Sequence, residues 1–285
     1  MKIPDLDADT VRRAVDGDLT TMETLLRAIK PGVYNLAVRM LGNLDDARDA
    51  SQEILLKVVT HLAGFRADAA FSTWVYRIAR NHLLTASTRS RESPEVSFEQ
   101  IADTLQQGLE FGRRRIGIEL DSGAMLQEDR VAAIATAIGC TQGMLLALDR
   151  DHRLAYLLDV VFGLSSEQAG EVIGITAAAF RKRLSRARDK LATFMQGTCG
   201  LVDPGRACRC EKQLPAIRAR AAAADPANAG DARLKPPPEA VARLEFERWQ
   251  AFGDAAALFR GHPEYRAPGR LPGAIRELLA HRGYL

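Results

Sequence analysis

Three cysteines crowded into twelve residues are the first candidates for chemistry. Cys199, Cys208 and Cys210 give C-x8-C-x-C in the segment CGLVDPGRACRC. Structural zinc takes four thiolate or imidazole ligands, and C-x-C is not the C-x2-C of the usual knuckle. A fourth donor, Cys140 or His152, would complete a site only if the fold brings it near. The sequence leaves structural zinc, a redox thiol pair and unligated cysteines all open, so no metal or other cofactor is assigned. No catalytic constellation competes. There is no glycine-rich phosphate loop, no nucleophile elbow and no helical HExxH pair, and the carboxylates show no mechanistic pairing. The expectation is a protein that is not an enzyme. The other chemistry on offer is electrostatic. Arg181 to Lys190 hold six cations and one acid, Asp189.

On a helix, Phe180, Leu184, Ala187 and Leu191 share a stripe about 60° wide, while Ala178, Ala179, Lys182 and Arg186 project from the opposite side. Arg183 and Lys190 flank them. A solvated helix usually mixes both signs for i,i+4 pairing, and this one has almost no acids, so the skew favours an anionic partner. Upstream, Ser165 with Gln168 three residues later makes a capping-box pattern that starts a helix ending near Ile173. Gly174-Ile175 makes the turn and Thr176 caps the next helix. Two short helices joined through a glycine form a helix-turn-helix, whose second helix enters the major groove. Thr176 and the small Ala178 and Ala179 sit where that helix meets base edges. Arg181, Lys182, Arg183, Arg186 and Arg188 can reach phosphates or guanine edges. The competing reading is a basic helix pair inside a bundle.

The elements that must position these residues are helical. Apolar residues recur at helical spacing almost throughout, so the expected fold is all-α. The chain has 285 residues, 47% hydrophobic and 26% charged, with a net charge of +3, so nucleic-acid binding must come from local patches. No run approaches the ~18 apolar residues of a membrane span. The polar, acidic N-terminus is unlike a signal peptide, so a cytoplasmic protein with no membrane association is expected. Helices are expected over 8–30 with a turn at Gly17-Asp18, then over 33–41 after a break at Pro31-Gly32. Further helices follow from Asp45 to Leu62 and from Phe71 to Thr85. Periodicity weakens from Thr88 to Arg115. Helices resume at Val131 to Ile138, Leu145 to Leu148 and Leu154 to Phe162. An Ala/Pro-rich stretch then leads to two more amphipathic helices at 239–260 and 271–283.

Two further segments narrow the function. LDDARDASQEILLKVVTHLAGFR followed by FSTWVYRIARNHLL resembles region 2 of the extracytoplasmic-function (ECF) branch of the sigma-70 family. Its acidic run is matched by Asp46-Ala47, Asp49 and Gln52-Glu53, and its aromatic-basic helix by Phe71, Trp74, Tyr76, Arg77, Ile78, Ala79 and Asn81. The basic helix resembles region 4.2, through Arg181, Arg183, Leu184, Arg186, Ala187 and Arg188, and LDRDHRLAYLLDVVFGLSSEQA resembles region 4.1. The resemblance implies two helical sigma domains and a role in transcription initiation. The partners it implies are core RNA polymerase, through the β′ clamp helices and the β flap, and promoter DNA. Asp46, Asp49, Gln52 and Glu53 would bind polymerase. Trp74, Arg77, Arg80, Asn81, Arg89 and Arg91 would meet the −10 element, where aromatic and basic side chains suit unstacked bases. Phe71, Val75, Ile78 and Trp74 suit a core better than a DNA contact, which leaves Arg77, Arg80, Asn81, Arg89 and Arg91 as the better DNA candidates. The second helix of the helix-turn-helix would read the −35 element.

The expected organisation is 1–92 for the region 2 domain, 93–125 for a linker, 126–196 for the region 4 domain, 197–214 for the cysteine-rich segment and 215–285 for a helical C-terminal extension. That extension goes beyond a minimal member of the family. Its apolar residues, Val241, Leu244, Phe246, Trp249, Phe252, Leu258 and Phe259, suggest that it packs on a sigma domain and regulates it in cis, taking or modulating the role of a separate anti-sigma factor. A stabilising add-on or an oligomerisation element is the plainer reading. Two other functions stay open: a sigma-like switch responsive to metal or redox state, and a stand-alone helix-turn-helix repressor.

Overall fold

The structure is a computed structural model and describes residues 2–86, 96–116, 127–223 and 255–267, with 269, 275 and 277. The expected contacts Arg89 and Arg91 fall outside the described residues. So do Val241 to Phe252 of the extension and nearly all of 271–283. Among the described residues there is no β-strand, only an isolated bridge between Cys199 and Cys208. The expected all-α fold is what the chain adopts. It divides into two units. One comprises Met1–Glu92, Leu154–Leu184 and Glu264–Leu285, the other Ser93–Arg153 and Ser185–Pro263.

In the first unit, α1 (Ala8–Val15), α2 (Leu19–Leu41), α3 (Leu44–His61) and α4 (Phe71–Ala86) pack around Leu25, Leu26, Ile29, Val33, Leu36, Ile54, Val58, Val75 and Leu83. The helix starts are capped by side chains: Asp7 accepts from Thr10 N–H, Asp18 from Thr21 N–H, and Asn43 from Asp45 and Asp46 N–H. Gly42 ends α2 in the left-handed conformation at φ 71°.

The break expected at Pro31-Gly32 is absent, because α2 runs straight through both residues. A proline inside a helix costs about 3 kcal/mol. Buried apolar residues flank this one on both sides, from Met22 to Met40, and each contributes about 1.5–3 kcal/mol. Gly32 is a packing residue here. A Cβ on it would lie 3.0 Å from the Ile3 main-chain nitrogen.

In the second unit, α5 (Phe98–Ile116) occupies part of the segment expected to be a linker. It begins on a capping box. Ser97 Oγ accepts from Gln100 N–H at 3.2 Å and Ser97 N–H donates to Gln100 Oε1 at 2.9 Å. Ile101 is buried and Phe98 lies 5.0 Å from Phe194, so this stretch has a core of its own. The two short helices expected between Val131 and Leu148 are a single helix, α6 (Gln127–Leu146). A short helix, α7 (Arg150–Tyr156), leads into a π turn over Leu157–Val161. Next come α8 (Ser166–Ile173) and α9 (Ala177–Thr198), then α10 (Leu214–Ala223) and α11 (Ala255–Arg260). Leu258 and Phe259 of α11 are buried. No helix among the described residues is long and apolar enough to cross a membrane.

Candidate nucleic-acid and polymerase interface

The pair α8–α9 has the helix-turn-helix geometry, built by local chemistry. Ser165 and Gln168 make the reciprocal capping box, and Gly174 closes α8 in the left-handed region at φ 78°. The turn is tight. Gly174 and Ile175 N–H both donate to Gly170 O, at 2.8 and 2.9 Å, and a Cβ on Gly170 would meet Ile175 O at 2.9 Å. Thr176 Oγ1 then accepts from Ala179 N–H at 3.2 Å and starts α9. The expected inner stripe is buried: Phe180, Leu184, Ala187 and Leu191 are each at most 4% exposed. Thr176, Ala178, Ala179, Arg181, Lys182, Arg186 and Arg188 are exposed, and Arg183 is half-buried. Arg181 lies 3.7 Å from Glu167 of α8, and Lys190 lies 3.4 Å from Asp149. Lys182 and Arg186 have no protein partner among the described residues. The outer face of α9 is therefore a cationic surface with few counter-charges, suited to a phosphate backbone.

The aromatic-basic helix α4 splits by face. Phe71, Val75, Tyr76 and Leu83 are buried, and the Tyr76 hydroxyl accepts from Ile3 N–H at 3.0 Å. Trp74 is half-buried in an aromatic cluster, 5.6 Å from Phe65 and 5.7 Å from Phe71. One side of it is core and the other meets solvent. Arg77 and Arg80 are half-buried and Asn81 is exposed. Arg80 Nη1 donates to Asn81 Oδ1 at 2.9 Å, which fixes both heads side by side. Behind them, Lys57 of α3 bonds His82 Nδ1 at 3.0 Å, and burial holds the imidazole below its ordinary pKa.

Sequence reasoning missed one relationship on α4. Arg77 is engaged by Glu171 of α8, through both the main-chain carbonyl and the carboxylate at 3.0 Å. Beside this pair, Tyr76 meets Phe162 edge to face at 6.0 Å. In this unit the first helix of the helix-turn-helix thus packs on the helix expected to meet the −10 element.

On α3, Asp46, Asp49, Gln52 and Glu53 are all exposed, while Ala47, Ala50, Ile54 and Val58 are buried. The acidic-polar residues therefore share an outer face. Among them Asp49 has a cation nearby, Arg48 Nε at 3.8 Å, a contact too exposed to neutralise the surface.

A second feature missed in the sequence lies on α2. Asn35 Nδ2 donates to Tyr265 O at 2.9 Å, and Tyr265 N–H donates to Asn35 Oδ1 at 2.9 Å. The fully buried Arg39 guanidinium lies 5.2 Å from the centre of the Tyr265 ring, and its Nη1 donates to Asn35 Oδ1 at 2.9 Å. Burial lowers Arg39 to about 10 and raises the Tyr265 phenol to about 12. Part of the C-terminal extension is therefore anchored in the first unit by a recognised side chain. The only local signal is an asparagine and an arginine within the otherwise apolar run 33–41. Of the cysteine-rich segment, Cys199, Cys208 and Cys210 lie around a short loop after α9. His152 is taken up by Asp149, at 2.6 Å.

Comparison with known proteins agrees with this architecture. The model of Sigma-70 region 2 matches residues 25–92, and that of Sigma-70, region 4 matches 138–191. The chain is 30% identical over 197 residues to the RNA polymerase sigma-H factor of Pseudomonas aeruginosa, covering 67% of this chain and 94% of that one. It is 27% identical over 182 residues to the ECF RNA polymerase sigma factor SigW of Bacillus subtilis, covering 64% and 92%. It is also 27% identical over 194 residues to the ECF RNA polymerase sigma-E factor of Escherichia coli, covering 67% and 94%. Among solved structures, the sigma factor RpoE in complex with the anti-sigma factor NepR from Bartonella quintana aligns at TM-score 0.39 and 20% identity, over 65% of this chain and 98% of that chain. With region 2 and region 4 both present and in order, the chain belongs to the ECF branch of the sigma-70 family of RNA polymerase sigma factors.

Proposed function

We propose a division of labour among three surfaces of this sigma factor, which binds core RNA polymerase and directs promoter-specific initiation. The acidic-polar face of α3, with Asp46, Asp49, Gln52 and Glu53, docks on the β′ clamp helices. The α4 residues Trp74, Arg77, Arg80 and Asn81, with Arg89 and Arg91 beyond them, meet the −10 element. The α9 surface from Thr176 to Arg188 reads the −35 element, in a region 4 domain that contacts the β flap. The protein acts in the cytoplasm and supplies specificity, while RNA synthesis is the work of the polymerase. The observation that carries this reading is the segregation on α9: a fully buried apolar stripe on one edge and exposed small and cationic residues on the other.

The C-terminal extension modulates this activity in cis. The Asn35–Tyr265 hydrogen bonds and the Arg39 contact support that reading, because they anchor the extension in the unit that carries region 2.

Transcription by holoenzyme reconstituted from the full chain and core polymerase, on genomic DNA with start-site mapping, tests the assignment. Discrete start sites sharing −10 and −35 sequences are expected. Asp49→Arg should abolish them by loss of polymerase binding, and the double change Lys182→Ala with Arg186→Ala should weaken −35 dependence. Polymerase binding that survives both Asp49→Arg and Glu53→Arg would remove α3 from the scheme. Deleting 215–285 tests the cis role. Promoter-specific transcription unchanged from the full chain would overturn it.

A further inference from the structure

The loop after α9 returns to the residue from which it departs. Cys199 and Cys208 face each other across an isolated parallel bridge. Gly200 N–H donates to Cys208 O at 2.9 Å, and Val202 and Asp203 N–H donate to Cys199 O at 3.2 and 2.9 Å. A Cβ on Gly200 would stand 2.5 Å from Cys208 O, so the glycine is what lets the two stretches of backbone approach. Asp203 accepts from Gly205 N–H at 2.9 Å and from Arg206 Nε at 3.0 Å, and Arg206 Nε also donates to Gln196 O of α9 at 2.8 Å. Arg209 donates to the carbonyl oxygens of Arg206 and Pro204, at 2.7 and 3.1 Å. The bridge is thus held by the loop's own hydrogen bonds. Beyond it, Cys210 leads into the 3-10 turn Glu211–Gln213, which packs on α5 and on α6.

Paired backbones lie about 4.8 Å apart, which places the Cα atoms of Cys199 and Cys208 inside the window of about 4.4–6.8 Å that a disulfide requires. Among the four cysteines this is the couple that the backbone pairs. The two sulfurs are free, and both residues are half-buried, within reach of a small molecule. Burial raises both thiols above their ordinary pKa. The Leu201 and Val202 N–H groups partly offset this at Cys199, Gln213 Nε2 does so at Cys208 from 3.5 Å, and Arg209 does so at both. Dithiols whose reduced form is stabilised as a thiolate make strongly oxidising disulfides. Raised thiols have the opposite bias, so their disulfide resists reduction better, while the exchange that forms it is slow near neutral pH.

We propose that Cys199 and Cys208 form a reversible disulfide that fastens the end of α9 to the loop behind it, with a low-molecular-weight disulfide as the oxidant. The Cys199 thiol gives its proton to solvent and its sulfur attacks one sulfur of the oxidant. The oxidant's S–S bond breaks, and one thiolate leaves and takes up a proton. Cys208, deprotonated in turn, attacks the Cys199 sulfur of the mixed disulfide, and the second thiolate leaves and is protonated. Two protein thiols are oxidised to one disulfide, the oxidant is reduced to two thiols, and excess thiol reverses the sequence. The backbone is already paired, so closure needs no rearrangement of the loop. In a reducing compartment such a bond is transient, which makes the pair a sensor of thiol balance. The chemistry is independent of which DNA sequence α9 reads.

The full chain, reduced and freed of reductant, is equilibrated with reduced and oxidised glutathione at graded ratios, quenched with acid and alkylated in denaturant. Proteolysis and mass spectrometry then map every cysteine. The expected result is loss of two alkylatable thiols per chain in one step, through an intrachain Cys199–Cys208 bond, with Cys140 and Cys210 still alkylated. Excess reduced glutathione should restore all four thiols. Cys208→Ser should stop at a glutathione adduct on Cys199. The rate of closure should rise about tenfold from pH 7 to pH 8, as the thiolate fraction of a raised thiol does. Should the serine variant fail to fold, the wild-type map decides alone. Four alkylatable thiols at excess oxidised glutathione overturn the proposal. So does a main product that joins Cys140 or Cys210, or that links two chains. A native chain whose pairings are as mixed as those of the chain oxidised in denaturant overturns it as well.

Discussion

Arg77 of α4 is held by Glu171 of α8 through two hydrogen bonds of 3.0 Å, one to the main-chain oxygen and one to the carboxylate. The side chains are 42% and 41% exposed, so solvent screens the pair. Its contribution to folding is about 0–1 kcal/mol. The pair also bears on binding, because the guanidinium proposed to meet the −10 strand is already occupied by a residue of the helix-turn-helix. Glu171→Gln keeps the shape and removes the charge. It should leave unfolding free energy within about 1 kcal/mol of wild type. Binding of the free chain to a single-stranded −10 oligonucleotide should rise about two- to fivefold at low salt, as a pair of that strength permits. Arg77→Ala should lower the same binding. Fluorescence anisotropy reads both, and a Glu171→Gln variant that binds no better than wild type would remove the competition.

The Asn35–Tyr265 contact predicts a stability cost of a different size. Asn35→Ala strands the Tyr265 main-chain N–H and carbonyl in a buried site and takes an acceptor from Arg39. Buried groups left without partners cost about 1–3 kcal/mol each. Chemical denaturation should therefore show a loss of about 2–4 kcal/mol. Tyr265→Phe keeps the main-chain bonds and the ring over Arg39, so it should stay within about 1 kcal/mol of wild type.

Local chemistry was readable from the sequence where it was local in space. Phe180, Leu184, Ala187 and Leu191 announced a buried edge by their spacing, and Ser165 with Gln168 announced a helix start. The same box at Ser97 and Gln100 is hidden in the sequence by the polar, proline-containing segment before it, which reads as linker. Pro31 signalled a break that burial on both sides overrides. The remaining features join residues far apart in the chain. Asn35 and Tyr265 are 230 positions apart, and nothing in either neighbourhood names the other. Cys140 is 59 positions from Cys199, and only the packing of the turn after Cys210 on α6 relates its helix to the cysteine-rich loop.

His82 gives the first unit an acid-sensitive element. Burial, aided by the Lys57 charge, lowers its pKa, and the neutral ring accepts from the Lys57 ammonium at 3.0 Å. A base with a depressed pKa in the folded state stays neutral there while the unfolded chain takes up a proton below about pH 6.5. Unfolding then binds protons, so stability is full above that pH and falls as pH drops through it toward the folded value. The slope cannot exceed one proton, about 1.4 kcal/mol per pH unit. His82→Gln keeps an acceptor for Lys57 and cannot titrate. Denaturation midpoints between pH 5 and 7 should fall less steeply in the variant than in the wild type, and equal slopes would show that His82 does not control them.

Two glycines of the helix-turn-helix should respond differently to alanine. Gly174 has a positive φ of 78°, and a Cβ there meets nothing within 4 Å. Gly174→Ala therefore costs only the left-handed backbone, about 1 kcal/mol, and leaves the geometry of α8 and α9 unchanged. Gly170 has ordinary helical backbone, but its Cβ would meet Ile175 O at 2.9 Å and press on the turn that sets the angle between the helices. Main chain cannot swing aside as a flexible side chain does, so Gly170→Ala must shift α9 or strain the turn, at about 1–3 kcal/mol. The expected pattern in thermal melts and promoter-binding assays is a split. Gly174→Ala should be mildly less stable with near-normal −35 binding once folded, while Gly170→Ala should lose −35 binding beyond what its fraction folded explains. Equal loss of binding per folded molecule in both variants would show that the turn angle does not position the reading helix.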